Sequence, residues 1–224
     1  MKTLTFSDSS DGGEIERAVA AAIESGDLVC LPCGGKYRLL ADLTNVDAVL
    51  RLMQSKGRVG RAPALVFIDG ESRLGQVADE IDPVALRLAR ALWPQPLTIR
   101  VRPSAELPGK VVRQLGGAKS KLGVRVPSEP WLRAVVTLVD RPLLVSSANK
   151  QARAGESSAA QVRRSFGSSV ALLVDRGDVV TDGCEIVPGP IGPVDRQRSR
   201  LFLAARHSSP EPPKRPRIWA TTCS

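Results

Sequence analysis

Hydrophobic positions follow a helical period in some segments of the chain and form short unbroken runs in others. The segment 14–25 repeats apolar residues at helical spacing, and Gly26 predicts where that helix ends. The apolar run 28–31 comes directly afterwards and predicts a short buried strand. Amphipathic segments and apolar runs continue to alternate as far as residue 175. This alternation predicts an α/β fold with a largely covered, mixed sheet.

Capping signals and further apolar runs predict the other elements. The residue pairs expected to start helices are Thr44 with Asp47, Asp82 with Pro83, Ser128 with Pro130, and Ser158 with Gln161. The further segments expected to form strands are 37–40, 63–69, 97–101, 122–126, 141–147 and 170–175.

The chain of 224 residues is long enough for one sizeable core, and no internal repeat divides it. From residue 206 onward the composition shifts to proline, serine and basic residues without apolar periodicity. Such a composition does not bury enough apolar surface to fold alone. We therefore predict one domain over residues 1–205 and a flexible basic tail over 206–224.

Basic residues outnumber acidic ones, 32 Lys and Arg against 23 Asp and Glu, which gives a formal net charge of +9. This excess favours polyanionic partners such as nucleotides or RNA. Because the basic residues are scattered along the chain, a solubilising surface accounts for the charge equally well. No apolar run approaches the ~20 residues that span a bilayer, and residues 1–8 lack the apolar core of a signal peptide. We expect a cytoplasmic protein.

The stretch 30–37, "CLPCGGKY", combines a C-x-x-C with two glycines and a lysine. A redox site of the thioredoxin type needs a helix directly after the cysteines, and no helical pattern begins there. A phosphate-binding loop needs glycine at position 30 and serine or threonine at position 37, but these residues are Cys30 and Tyr37. With one close cysteine pair and two distant single cysteines, we expect no zinc site. The remaining interpretation is a turn made by glycines between two strands.

Polar and basic residues at the ends of predicted elements form a more specific pattern. Lys56 and Arg58 follow a predicted helix, and in an extended loop both cations face one side, where they can bind one polyphosphate. Arg125 lies on a predicted strand. The end of the next predicted strand carries Ser146, Ser147 and Asn149. Taken singly, these residues also suit a solvated loop, a structural ion pair and turn formation.

Four segments in this order resemble the YrdC-type threonylcarbamoyl-adenylate synthase family, including its divergent YciO-like branch. They are K-G-R (56–58), L-W-P-Q-P-L-T (92–98), G-V-R-V-P (123–127) and S-S-A-N (146–149). The resemblance extends over residues 12–187. It implies a twisted open mixed sheet flanked by helices, with a basic concave face.

The resemblance also implies a nucleotidyltransferase reaction. The amine of threonine captures bicarbonate, and the carbamate attacks the α-phosphorus of Mg-ATP to release pyrophosphate. The product serves tRNA threonylcarbamoyladenosine modification. By motif, Lys56 and Arg58 are the catalytic cations that neutralise phosphate charge. Arg125 holds a phosphate or the carboxyl group, and Ser146, Ser147 and Asn149 complete the nucleotide site. The Mg²⁺ ion is expected to be held mainly by the phosphates, without a metal site on the protein.

The segment "PCGGKYRL" (32–39) takes the place of the family's "PTDTVYGL". The family's two threonines and aspartate are thus lost, and other polar residues near the amino acid are replaced as well. The positions of this altered amino-acid pocket are Cys33, Gly35, Tyr37, Phe67, Lys121 and Cys184. The family's late Arg-Pro-Gly segment has no clear counterpart, and Arg196, Arg198 and Arg200 are equal candidates to replace its arginine. Loss of groups that bind a substrate hydroxyl predicts a loss of threonine specificity.

Three hypotheses remain open at this point. The chain is a threonylcarbamoyl-adenylate synthase with an atypical pocket, or an enzyme of the same type with another amine acceptor. Lys36, Arg38 and Lys121 suit an acidic acceptor. Alternatively, it is an inactive relative that binds nucleotide, tRNA or double-stranded RNA, in which Trp219 stacks on a base beside basic residues.

Overall fold

The computed structural model describes residues 1–6, 13–57, 64–117, 120–150, 156–179, 184–188 and 219–223. Its main sheet has eight strands. They are β1 (Lys2–Thr5), β2 (Val29–Cys33), β3 (Lys36–Asp42), β4 (Ala64–Phe67), β5 (Ile99–Val101), β6 (Leu122–Arg125), β7 (Leu143–Ser147) and β8 (Leu172–Asp175). Every predicted strand is therefore present. The sheet also contains β1, which the sequence pattern did not predict.

The strand order is β1-β8-β2-β3-β7-β4-β6-β5. Three neighbouring pairs are parallel, β1 with β8, β2 with β8, and β4 with β6. The other four pairs are antiparallel. The predicted mixed sheet is confirmed. The order also brings the end of β7 beside the start of β3, which is where the candidate site lies.

The helices are α1 (Glu14–Glu24), α2 (Val46–Ser55), α3 (Leu74–Val77), α4 (Pro83–Leu92), α5 (Gly109–Gln114), α6 (Pro130–Val139) and α7 (Ala159–Phe166), with a 3₁₀ turn over Glu71–Arg73. Two predicted caps are confirmed. Asp82 accepts hydrogen bonds from the first amides of α4, and Ser158 forms a complete capping box with Gln161 on α7.

Two predicted caps are wrong by one residue. The cap of α2 is Asn45 rather than Thr44, because the Thr44 hydroxyl donates to Asp42 at 2.6 Å. The residue before α6 is Glu129 rather than Ser128, and its side chain makes no capping bond. The carboxylate of Glu129 is instead used elsewhere, as described below.

Apolar side chains fill both faces of the sheet. On one face, α1 and α6 cover the sheet with residues that include Val19, Ile23, Val135 and Val139. On the other face, residues of α2, α5 and α7 pack against the sheet. No helix in the described part of the chain is both long enough and apolar enough to cross a membrane. The layered α/β architecture thus leaves the strand ends and connecting loops as the places where polar groups gather.

A two-residue turn at Gly34 and Gly35 joins β2 to β3. Both glycines have positive φ angles, 57° and 67°, and Cys33 pairs with Lys36 across the turn. Glycine is favoured in such a turn because a Cβ atom disfavours the left-handed region. The interpretation of the glycine pair as a backbone turn between two strands is confirmed.

A separate two-stranded antiparallel sheet pairs β9 (Cys184–Pro188) with β10 (Trp219–Cys223). The predicted flexible tail over 206–224 therefore ends in a strand at 219–223. Residues 206–218 and 224 lie outside the described residues, and the domain boundary after residue 205 stays a prediction.

Candidate functional site

Lys56 lies at the end of α2, directly beneath the end of β7. It is 1 % exposed, which is unusual for a lysine, since a buried ammonium group needs several acceptors to offset its lost hydration. The Nζ atom donates to Ser146 Oγ at 2.7 Å, to Asn149 Oδ1 at 2.9 Å and to the carbonyl oxygen of Ser147. The structure therefore brings together Lys56 and all three residues of the predicted strand-end turn.

Further hydrogen bonds hold this turn in one arrangement. Ser147 Oγ donates to Asn149 Oδ1 at 2.7 Å, so the amide oxygen of Asn149 accepts from both Ser147 and Lys56. The Ala148 amide donates to the carbonyl oxygen of Tyr37 at 2.9 Å, and the Glu156 amide donates to that of Ala148 at 2.8 Å. The hydrogen bonds from Lys56 and Ser147 thus fix the orientation of the Asn149 side chain.

The backbone at Lys56 differs from the predicted extended loop. Lys56 ends the helix with φ −89° and ψ −4°, and Gly57 follows with φ 62°. We predicted that Lys56 and Arg58 project together from an extended segment. The prediction is wrong at Lys56 and Gly57, because neither residue has an extended backbone conformation. Arg58 itself lies outside the described residues.

A second polar group lies around Arg125 at the end of β6. Arg125 is 6 % exposed, its Nη2 donates to Ser128 Oγ at 3.3 Å, and its buried Nε has no hydrogen-bond partner among the described residues. Burial lowers the pKa of this guanidinium, and the positive charge of Arg38 acts in the same direction. A desolvated cation with an unused donor is costly for a fold.

A chain of hydrogen bonds connects Arg125 with the glycine turn. Ser128 Oγ donates to Glu129 Oε2 at 3.2 Å, and the other carboxylate oxygen accepts from the Gly34 amide at 2.9 Å. On the far side of the turn, Arg38 Nε donates to the carbonyl oxygen of Cys33 at 3.4 Å. We call Cys33, Arg38, Arg125, Ser128 and Glu129 the arginine cluster.

The arginine cluster lies beside the turn of Ser146, Ser147 and Asn149 to which Lys56 donates, which we call the Lys56 turn. Arg38 of β3 is paired with Ser147 of β7, and directly opposed residues of an antiparallel pair place their side chains on the same sheet face. Cys33 of β2 belongs to that face as well. Ser147 thus shares a sheet face with the arginine cluster, whereas Ser146 is directed to the opposite face, which α2 covers and where Lys56 lies.

The sheet divides the predicted amino-acid pocket. Cys33 and Phe67 lie on one face, where Phe67 pairs with Arg125, and Tyr37 lies on the other. Tyr37 faces the opposite side of the sheet from Cys33, is fully buried, and its hydroxyl donates to the Gly177 carbonyl oxygen at 2.8 Å and accepts from the Arg176 amide. Phe67 is core, 1 % exposed, on the face covered by α1 and α6.

The other predicted pocket positions have varied surroundings. Gly35 is part of the turn, and Lys121 is half-buried at the start of β6. Cys184 lies on β9. Sequence reasoning missed Glu129, which connects Arg125, through Ser128, to Gly34. Its position four residues after Arg125 was visible in the sequence. Its contact with Gly34 was not, because Gly34 is 95 residues away in the chain.

Both thiols of the C-x-x-C are free and buried. Burial raises the pKa of Cys30, and burial together with the negative charge of Glu129 raises the pKa of Cys33 to about 12. A reactive cysteine needs a lowered pKa, so these thiols have the opposite of the environment of a redox pair.

We expect iodoacetamide at pH 8 to alkylate Cys33 about a thousandfold more slowly in the folded protein than after unfolding in urea. The reason is that the thiolate fraction at pH 8 falls by roughly that factor when the pKa rises from its ordinary value to about 12. Mass spectrometry of the peptide that contains Cys30 and Cys33 measures both rates. Rapid labelling of the folded protein at Cys33 would contradict the described burial.

Comparison with known proteins places this chain in a family. Residues 21–187 match the model of the Sua5/YciO/YrdC family, whose description reads "Telomere recombination". A threonylcarbamoyl-AMP synthase of Halorhodospira halophila is 35 % identical over 161 residues, which cover 70 % of this chain and 81 % of that protein. A threonylcarbamoyl-AMP synthase of Pyrococcus abyssi is 32 % identical over 162 residues, 72 % of this chain.

The match to the Pyrococcus protein covers 46 % of its length, so the chain corresponds to about half of that relative. Among solved structures, the crystal structure of P. abyssi Sua5 complexed with L-threonine superposes with a TM-score of 0.68 at 27 % identity. That superposition covers 80 % of this chain and 50 % of the other. The family model alone matches well over half of the chain, and we conclude that the chain belongs to the Sua5/YciO/YrdC family.

Proposed function

We propose that the protein is an enzyme of the threonylcarbamoyl-AMP synthase type, which forms an N-carbamoyl amino acid adenylate. In this reaction the amino group of the acceptor attacks the carbon of bicarbonate, giving a carbamate and water. A carbamate oxygen then attacks the α-phosphorus of ATP, and the bond to the β-phosphate oxygen breaks to release pyrophosphate. The adenylate would supply threonylcarbamoyl-type modification of tRNA, in line with the names of the relatives.

The observation that carries the proposal is the Lys56 turn. Fixed hydroxyl and amide groups can stabilise a charged substrate without reorganising, and phosphoryl transfer depends mainly on positioning and electrostatic stabilisation. We assign Ser147 and Asn149 to the nucleotide, with Ser146 as a second hydroxyl. Lys56 is assigned a positioning role from beneath the turn, because all three of its ammonium hydrogens have acceptors within the protein.

The remaining charges of the site are provided by arginines in this proposal. Arg58 follows the helix end and would neutralise phosphate charge, and Arg125 would hold a phosphate or a carboxyl group. The Mg²⁺ that accompanies ATP would be held by the phosphates. The described residues contain no group of three or more His, Cys, Asp or Glu side chains suited to a metal ion.

The proposal is tested by pyrophosphate release from Mg-ATP with bicarbonate and each of the twenty amino acids in turn. We expect release that needs both bicarbonate and an amino acid, together with calorimetric binding of Mg-ATP. Failure of Mg-ATP to bind would overturn the proposal. Salt-sensitive RNA binding without any turnover would instead favour a non-enzymatic relative.

A further inference from the structure

The segment 32–39 around the arginine cluster carries more positive charge than the family segment "PTDTVYGL" that it resembles. Arg38 occupies the position of the glycine in "PTDTVYGL", and Gly34 occupies the position of the aspartate. Relative to that segment, these two positions remove a carboxylate and add a guanidinium. These two positions therefore add two units of positive charge, and Lys36, which takes the position of the valine and pairs with Cys33, adds a third.

Nothing in the described part of the chain neutralises this charge directly. Neither Arg38 nor Arg125 has a carboxylate oxygen within 4.0 Å among the described residues. Glu129 is the acidic member of the cluster, and its two oxygens already accept hydrogen bonds from the Gly34 amide and the Ser128 hydroxyl. Cys33 stays a neutral thiol, since burial raises its pKa to about 12. Two guanidiniums and one carboxylate leave a net positive site.

The buried Nε of Arg125 is a second, independent observation that points to an anionic ligand. A buried donor without a partner is rare in folded proteins, and it is most economically explained by a ligand group that accepts from it. Arginine presents its N–H groups in a planar fork that matches a carboxylate. The cluster thus offers geometry for a carboxylate in addition to charge.

We propose that the arginine cluster binds the side-chain carboxylate of an acidic amino acid, so that the acceptor amine is aspartate or glutamate rather than threonine. This inference rests on the proposed function, because it names the acceptor of that reaction. The carboxylate would lie between Arg38 and Arg125, beside the serine and asparagine that we assign to the nucleotide.

Matched ligands test the inference by calorimetry in the presence of Mg-ATP and without bicarbonate. We expect L-aspartate or L-glutamate to bind at least about tenfold more tightly than its amide, L-asparagine or L-glutamine, since the amide keeps the shape but lacks the charge. Threonine should bind no better than the amides. Equal binding of acid and amide, or tighter binding of threonine, would overturn the inference.

Variants then locate the preference. Arg38→Ala should reduce the ratio of acid to amide binding to about twofold or less, and Arg38→Lys should retain part of it. Arg100→Ala removes an exposed arginine on β5 and should leave the ratio unchanged. Circular dichroism verifies that each variant is folded. If Arg38→Ala keeps the full ratio, the assignment to this cluster is wrong.

The two proposals fail in different ways. Pyrophosphate release that depends on threonine and not on acidic amino acids keeps the proposed function and overturns the acidic acceptor. Absence of Mg-ATP binding overturns the proposed function, whereas the acid-to-amide ratio measured without ATP still decides whether the cluster binds a carboxylate.

Discussion

Lys56→Met is expected to lower the free energy of unfolding by about 3 kcal/mol and to reduce pyrophosphate release at least a hundredfold. The substitution keeps most of the buried side-chain volume but removes the donor shared by Ser146, Ser147 and Asn149. Two side-chain acceptors and one backbone carbonyl would then have to find new partners in a place that water reaches poorly. The turn would lose the arrangement that we assign to nucleotide binding.

Urea unfolding followed by circular dichroism measures the first effect, and the pyrophosphate assay at a temperature where the variant is folded measures the second. Lys110→Met is the matched control, because it removes the same charge from an exposed position on α5. It should change the free energy of unfolding by less than 0.5 kcal/mol, as is usual for surface positions. If Lys56→Met is as stable and as active as this control, the ammonium group does not organise the turn.

The residues of this turn were predictable from the sequence, but their arrangement was not. Ser146, Ser147 and Asn149 follow an apolar run that predicts a strand, so their place at a strand end follows from the pattern alone. The helical spacing of apolar residues before Lys56 likewise predicts its place at a helix end. That the ammonium group is buried depends on packing between segments about 90 residues apart, which no local pattern encodes.

Capping predictions show where local reasoning succeeds and fails. The side chains of Asp82 and Ser158 each accept from amides of the following helix, and both are caps as predicted. At Thr44 the prediction failed because Asp42, which is 1 % exposed and paired with Arg141 at 2.9 Å, takes the threonine hydroxyl and amide. The buried carboxylate of Asp42 thus takes the hydroxyl that was expected to cap the helix.

The chemistry of the amino-acid side was the least predictable part. Arg38 and Lys36 were recognised as suited to an acidic acceptor, but the connection of Arg38 to Arg125 runs through Glu129 and the Gly34 amide. Tyr37 matches the family segment in sequence, yet its side chain lies in the core on the other sheet face. Residues adjacent in a strand alternate between faces, so a motif read as one pocket is divided by the sheet.

Arg125→Met is expected to reduce pyrophosphate release at least a hundredfold while raising the free energy of unfolding by about 1 kcal/mol. Arg125 is desolvated and donates to Ser128 at 3.3 Å, and its buried Nε has no acceptor among the residues that the structure describes. Replacing such a cation by an apolar side chain of similar length removes its desolvation cost. Glu129 keeps its bonds to Gly34 and Ser128, so the glycine turn should stay in place.

Arg141→Met gives the opposite pattern and serves as the control. Arg141 is half-exposed and pairs with the buried carboxylate of Asp42, away from the arginine cluster, so its loss should cost about 1 kcal/mol and leave pyrophosphate release unchanged. Comparing the two variants distinguishes an arginine that stabilises the fold, Arg141, from one that binds a ligand, Arg125. A structural role for Arg125 predicts that its methionine variant is less stable and still active, and that result would remove the strongest reason to place an anionic substrate group beside it.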